Sequence, residues 1–323
     1  MGLPMAMKRR WTLCLGFLSL ALAVCSPEKD KADLPPPPPK SDLSLLKAGF
    51  PIRGSIVFQS DMDGDNEIYL LTANEIRKLT DNSWSDEYPR WSPDGTRIAF
   101  TSNAKGNFDV YVMNADGSGL SQITSSLNDE GEPAWFPDGT ALAFTAENKR
   151  LLGKDAALWK IDLETRKTEP IVSEFKGSHG LSDFSPAAPL MAFTGHRLFG
   201  WDVFIFDIRE GKYRALTEGG KSCRARFSKD GRRLAYVSSR ADGKGDIWSM
   251  NPDGSDNIRL TERNETYDYF PSWAPDGEHI VFCSSTQNSP KQGRWSLFLL
   301  KVGTRRVMPL FSSSARDLFP DWH

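Results

Sequence analysis

The sequence predicts an all-β chain, a six-bladed β-propeller of four-stranded antiparallel blades, on three observations. A short apolar run ending in an aromatic residue recurs six times after Gly54, a Pro-Asp-Gly turn recurs in step with it, and the two ends of the array complete one unit between them. A period of about forty residues with four strand signals in each is the signature of propeller blades.

The first run reads Ile56-Val57-Phe58, Ile98-Ala99-Phe100, Leu142-Ala143-Phe144, Met191-Ala192-Phe193, Leu234-Ala235-Tyr236 and Ile280-Val281-Phe282. Continuous apolar runs this short fit strands buried on both faces. A second run follows each one: Ile68-Tyr69, Val110-Tyr111, Leu158-Trp159, Val203-Phe204, Ile247-Trp248 and Leu297-Phe298. Its β-branched and aromatic residues suit a pleated surface. A shorter third run closes the unit in Lys78-Leu79-Thr80, Gln122-Ile123-Thr124, Ala215-Leu216-Thr217 and Arg259-Leu260-Thr261, with Pro170-Ile171-Val172 and Pro309-Leu310-Phe311 as looser copies.

The fourth element is the most specific. Pro89-Arg90-Trp91-Ser92-Pro93-Asp94-Gly95 is echoed by Pro133-Ala134-Trp135-Phe136-Pro137-Asp138-Gly139 and Pro271-Ser272-Trp273-Ala274-Pro275-Asp276-Gly277, with degenerate copies from Ser182 and Ala225. In such a turn Pro presets one backbone angle and Gly accepts the left-handed one, so each copy joins two antiparallel strands. The array begins at Gly54 with the second strand of a blade and stops at Pro320-Asp321-Trp322-His323 with a first strand. Pairing the C-terminal strand with the N-terminal blade closes the ring, and C-terminal truncation is expected to be unusually damaging.

Residues 1–25 read as an export signal: Lys8-Arg9-Arg10, an apolar run over 11–24, then Cys25. That run is too short for a membrane span. Leu22-Ala23-Val24-Cys25 resembles a bacterial lipobox, in which the cysteine is acylated, although Val24 stands where that family prefers Gly, Ala or Ser. An ordinary cleaved signal is the alternative. Residues 26–53 carry mixed charges and Pro35-Pro36-Pro37-Pro38-Pro39, a composition that builds no core and favours a stiff extended spacer. The propeller occupies 54–323. A formal net charge of −2 with scattered Lys, Arg, Asp and Glu lacks the basic footprint of a nucleic-acid binder.

The unit Pro-x-Trp-Ser-Pro-Asp-Gly, Ile-Ala-Phe, Ile-Tyr, Asp-Gly-Ser, Leu-Thr resembles the repeat of TolB-type propellers over 54–323. The resemblance implies the fold. Propellers of this type serve as binding modules, enzymes and sensors alike, so it does not by itself imply a function. TolB carries an α/β domain ahead of its propeller. With only a signal and a tether expected here, the translocation role tied to that domain is not carried over.

Turn lengths predict which rim works. The turns Pro93-Asp94-Gly95, Asp116-Gly117-Ser118-Gly119 and Pro252-Asp253-Gly254-Ser255 are short and repetitive, whereas the other rim carries irregular insertions at 147–155 and 286–294. Variable loops on a rigid scaffold usually carry binding. Counting back five residues from each first-strand aromatic selects Asp86, Glu130, His179, Ser222, Asp268 and Asp317 as a ring at the channel mouth on that rim. Tyr88, Arg224, Tyr267 and Tyr269 are expected near it. The structural reading of the ring is that each side chain caps backbone amides; the functional one is a cation or basic-ligand site, with His179 and Ser222 breaking the pattern where a ligand is recognised. A second row, Glu67, Asp109, Asp202 and Asp246, reads mainly as scaffold.

Catalytic patterns are largely missing: no nucleophile elbow, paired-His zinc motif or phosphate loop occurs. The hydrolase half that prolyl-oligopeptidase-like enzymes attach to a propeller is not expected here. Asp61-Met62-Asp63-Gly64-Asp65-Asn66-Glu67 departs from a calcium loop in its Gly position and in lacking the Glu needed at the twelfth place. A metal-assisted poly- or oligosaccharide lyase, implied by resemblance to related propellers, is the main enzyme alternative. Its best locus is Gly177-Ser178-His179-Gly180; His196 and His279 read as ordinary loop or strand-edge residues. Cys223 and Cys283 are expected to be unpaired, buried thiols. The expectation is thus a monomeric, non-catalytic module without cofactor or metal, lipid-anchored on the periplasmic side of the outer membrane. Its variable rim would bind an envelope protein, peptide or glycan.

Overall fold

Each of the six first runs identified in the sequence forms a strand, because its residues bury on both faces while their amides pair in a ladder. The computed structural model describes residues 53–150, 153–289 and 291–323, with backbone alone at 148–150 and 153–154. The predicted export signal, Cys25 and the proline tether lie outside the described residues. Among the described residues, six four-stranded antiparallel sheets make up the fold.

Blade 1 is shared by the two ends of the chain: Asp317–Trp322 is innermost, followed outward by Ile56–Ser60, Glu67–Leu71 and Ile76–Lys78. Blade 2 comprises Asp86–Trp91, Arg97–Ser102, Asp109–Asn114 and Ser121–Gln122; blade 3, Glu130–Trp135, Ala141–Arg150, Gly153–Asp162 and Thr168–Pro170. Blade 4 runs His179–Phe184, Leu190–Arg197, Gly200–Asp207 and Lys212–Ala215. Blade 5 runs Ser222–Phe227, Leu234–Ser238, Asp246–Met250 and Ile258–Arg259, and blade 6 Tyr267–Trp273, His279–Ser285, Ser296–Lys301 and Arg306–Phe311.

The aromatics that end the first runs, Phe58, Phe100, Phe144, Phe193, Tyr236 and Phe282, are among the largest fully buried side chains. Burying each is worth about 1.5–3 kcal/mol, and together they fill the blades. The ring closes as the repeat predicts. Ser55 and His323 exchange backbone hydrogen bonds of 2.7 and 2.9 Å, and the Trp322 indole donates to the Arg53 carbonyl at 2.9 Å.

The Pro-Asp-Gly turns share one geometry, with Gly95, Gly139 and Gly277 at φ between 68 and 69°. The carboxylates of Asp94, Asp138 and Asp276 accept backbone amides two residues on, at 3.0, 3.0 and 2.8 Å.

The outermost strands stop short of the Leu-Thr pairs that the sequence had assigned to them, ending at Lys78, Gln122, Ala215 and Arg259. Two residues on, Thr80, Thr124, Thr217 and Thr261 each accept the amide of a third-strand residue, Ile68, Val110, Val203 or Ile247, at 2.9–3.0 Å. Their hydroxyls turn to the second acidic row: Thr80 donates to Glu67 and Thr217 to Asp202 at 2.9 Å. A side-chain bond thus replaces the last rung of the ladder.

Candidate functional site

The site is built from the six innermost strands, which line the central channel. Every one of them slips register two residues before its last pair, as at Glu87/Arg90, Gly131/Ala134 and Gly180/Asp183. The first residue of each bulge takes a left-handed conformation: Tyr88, Glu132, Leu181, Arg224, Phe270 and Phe319 have φ between 52 and 59°. Prolines 89, 133, 271 and 320 follow four of them, as expected where no ladder donor is needed.

The freed bulge amides are taken up by the preceding blade. Tyr88 donates to Gln59 at 3.1 Å, Glu132 to Thr101 at 3.0 Å and Arg224 to Thr194 at 2.9 Å. Because the bulge re-aims its first residue, all six of these side chains line one narrow central cavity of about 30 Å³. Tyr88 and Phe270 flank Phe319 at ring-centroid distances of 4.1 and 4.0 Å, and the Arg224 guanidinium lies 4.8 Å above Phe270. The channel is plugged at this level. Burial pushes the Glu132 carboxyl up to about 7, although Thr145 donates to it at 2.8 Å and Arg224 opposes the shift.

Beyond the plug a cup of about 600 Å³ opens on the rim of Pro-Asp-Gly turns, not on the variable rim where the sequence reading placed the working surface. Its walls are the aromatics that end the inner strands, Trp91, Trp135, Phe184, Phe227 and Trp273. Its floor is an ion network: Arg90 pairs with Asp183 and lies 3.6 Å from Asp321, and Arg226 lies 3.4 Å from Asp183. Both carboxylates also hold neighbouring blades, Asp183 accepting the Phe227 amide at 2.7 Å and Asp321 the Trp91 amide at 2.8 Å. Burial raises the Asp183 carboxyl against the pull of Arg90. Arg53, Lys229 and His323 complete a lining of four Arg and Lys, one His and two acidic side chains. The buried indole N–H groups of Trp91 and Trp273, also on this wall, find no acceptor among the described residues. The cup is rich in donors and positive charge.

The residues singled out in the sequence divide between places. Tyr88 and Arg224 do line the channel, within the plug. The six ring positions stand at or beside the first residues of the inner strands, all with at most 8% of their surface exposed. Asp317 accepts from Ser60 and Ser313, Asp268 from Ser284, Ser222 donates to Ser238, and Asn82 donates to Asp86. Glu130 receives the Ser126 amide at 3.4 Å. His179 turns into blade 4, Nδ1 3.1 Å from the Gly177 carbonyl and its ring 5.1 Å from Phe175; burial lowers its pKa. Tyr269 stacks on Trp295 at 5.6 Å, and Tyr267 is half-buried 6.4 Å from Tyr269. Among the described residues no group of three or more His, Cys, Asp or Glu could hold a metal ion. Cys223 and Cys283 are buried and are not joined in a disulfide.

Sequence reasoning missed Glu132, Leu181, Phe270 and Phe319, as well as Asp183 and Arg226. For Glu132, Phe270 and Phe319 the signal was the place before a motif proline, and for Asp183 and Arg226 the place before a strand-ending aromatic; Leu181, followed by Ser182, carried none.

Comparison with known proteins agrees with this architecture. The TolB β-propeller domain profile matches residues 71–151 and 149–322. An uncharacterised protein of Agrobacterium fabrum is 26% identical over 68% of this chain and 72% of its own length. A TolB homologue of Chlorobium luteolum is 30% identical over 66% of this chain, and the match spans about half of that relative, 48%. Among solved structures, TolB from Acinetobacter baumannii superposes with a TM-score of 0.70 at 19% identity, covering 86% of this chain and 69% of the other. The profile match runs through most of the ring, and the chain belongs to the TolB β-propeller family.

Proposed function

We propose that this chain is a non-catalytic binding module of the bacterial cell envelope, tethered through a lipid on Cys25, that takes an acidic peptide segment of a partner protein into the cup. The observation that carries the reading is the donor-rich lining. Arg53, Arg90, Arg226 and Lys229 outnumber Asp183 and Asp321 around a space large enough for several side chains. Carboxylates and backbone carbonyls are the groups that satisfy such donors, and arginine binds carboxylates with two bonds at once. A blind cup on a rigid scaffold needs no reorganisation to bind, which keeps the entropic cost of association low.

Arg53 and Lys229 stand at the cup's edge with side chains not engaged in the ion network described above. Their reversal to glutamate is therefore a test that spares the fold. Fluorescently labelled acidic and basic peptides of matched length, and a neutral oligosaccharide, would be titrated against the full chain and an Arg53→Glu, Lys229→Glu variant. The reading expects saturable binding of the acidic peptides alone, weakened about tenfold by the two reversals, since each turns an exposed attraction worth up to about 1 kcal/mol into a repulsion. Preference for the oligosaccharide would sink it in favour of a glycan binder.

A further inference from the structure

The rim opposite the cup carries a feature that cup binding does not use. In blade 4 the strands Leu190–Arg197 and Gly200–Asp207 are eight residues each and carry Leu198 and Phe199 at the hairpin tip, 93% and 77% exposed. Two-residue hairpin turns are ordinarily filled by Asn, Asp and Gly, and large apolar residues held in water are unfavourable. The backbone beneath them is built rather than loose. A Cβ on Gly220 would lie 1.9 Å from the Phe199 carbonyl oxygen, and one on Gly200 2.4 Å from that of Gly220. Asp202 accepts the Gly220 amide at 3.1 Å, and Trp201 bridges to Lys221. The two side chains are therefore presented at a fixed place.

Charge surrounds them. Arg197 adjoins the tip, its guanidinium 4.6 Å from the Phe204 ring, and Lys176 and Lys221 lie in the two loops that flank blade 4 on the same rim; all three are exposed and outnumber Glu174 and Glu218, exposed in the same loops. Leu127, 93% exposed, sits on this rim in the connection from blade 2 to blade 3. Blade 3 repeats the order in sequence, Arg150-Leu151-Leu152-Gly153, between strands that pair Arg150 with Gly153.

We propose that this rim rests on an anionic lipid surface, with Leu198 and Phe199 entering the interface and Arg197, Lys176 and Lys221 facing headgroup phosphates. A stable protein interface needs about 800 Å² from each partner, far more than two side chains at a hairpin tip supply. A small apolar wedge with cations beside it is instead what an interfacial membrane contact requires, because the tip leaves water while the cations stay at headgroup depth. The orientation has a consequence. Arg53 and the cup lie on the other rim, so the cup faces away from the membrane and stays open to a partner. Residues 26–52, at about 3.1 Å per residue when extended, reach past an inner strand only about 20 Å long. This proposal does not rest on the cup's ligand and can fail separately from it.

The test uses the full chain with Cys14→Ser and Cys25→Ser, so that a polarity-sensitive fluorophore attaches only to an added thiol; Cys223 and Cys283 are buried. Label is placed at Phe199→Cys or, as a control on the cup rim, at Leu120→Cys, and phosphatidylglycerol vesicles are added. The expected result is a blue shift with increased emission at position 199 and none at 120. Adding Leu198→Ser should raise the lipid needed for half-response about tenfold. A label at 199 that stays in water while the chain sediments with the vesicles overturns the proposal, as does an equal response at 120. Equal response to neutral phosphatidylcholine overturns the charge-assisted contact. A blue shift at 199 that grows with protein concentration without lipid overturns it in favour of a second copy of the chain.

Discussion

At Asp183 one carboxylate serves both the cup and the scaffold. It pairs with Arg90 and Arg226 and accepts the Phe227 amide from the next blade. Asp183→Ala leaves Arg226 and a buried amide without their partner and Arg90 with Asp321 alone, and breaking such a buried pair costs about 3–5 kcal/mol. Urea denaturation should show that loss, with a smaller one for Asp183→Asn, which keeps an acceptor for Phe227. The buried carboxyls at the opposite end act through pH. Burial pushes Asp317 up to about 6, although the Ser313 amide and the Ser60 and Ser313 hydroxyls pull it down, and pushes Asp109 up to about 6 as well. Their ordinary value is near 3.8, so the folded state holds these protons more tightly than the unfolded chain. The stability they add is complete below that value and is lost as pH rises through about 6. The urea midpoint should therefore fall between about pH 5 and about pH 7.5, and Asp317→Asn should flatten part of that slope.

At the scale of the element, the Leu-Thr motif shows how a repeat can be legible while its purpose is not. Its periodicity marks an outer strand, yet the threonine acts after that strand has ended, closing the outer edge of the next one in by accepting an amide and donating to a carboxylate. Thr217→Val keeps the shape but leaves the Val203 amide and Asp202 short of a partner. A cost of about 1–3 kcal/mol is expected, read as a lower thermal midpoint with unchanged far-ultraviolet dichroism. The Pro-x-Trp motif is similar. Its proline was readable as turn chemistry, but its position in a bulge follows from the inner strand's need to turn one residue into the channel without offering an unpaired donor.

For the whole molecule, closure is the main stabilising device. Asp317–Trp322 is the innermost strand of blade 1, and its neighbours include the Arg90 and Trp91 of blade 2 and Ser272 of blade 6. Deleting residues 317–323 exposes the edge of Ile56–Ser60 and unpairs both adjoining blades. The expected outcome is loss of cooperative melting in calorimetry and of protection in hydrogen exchange across blades 1, 2 and 6, beyond what trimming a terminal strand ordinarily costs.

Residues alone determined the blade count, the order of strands within each blade and the sharing of blade 1 by both ends, because each follows from local periodicity and turn chemistry repeated six times. The ring from Asp86 to Asp317 was also locatable, since it stands at a constant distance from the strand-ending aromatics. Whether those side chains meet solvent, one another or a serine was decided only by tertiary structure, which buries them against their own blades. The plug and the cup were likewise beyond the sequence. A register slip in each inner strand turns Tyr88, Glu132, Leu181, Arg224, Phe270 and Phe319 to one axis, and only the radial packing of six blades brings Arg90, Asp183, Arg226 and Asp321 together from positions far apart in the chain. Repetition writes a fold into local pattern; a site at the axis depends on what differs between the repeats and on the geometry that gathers those differences.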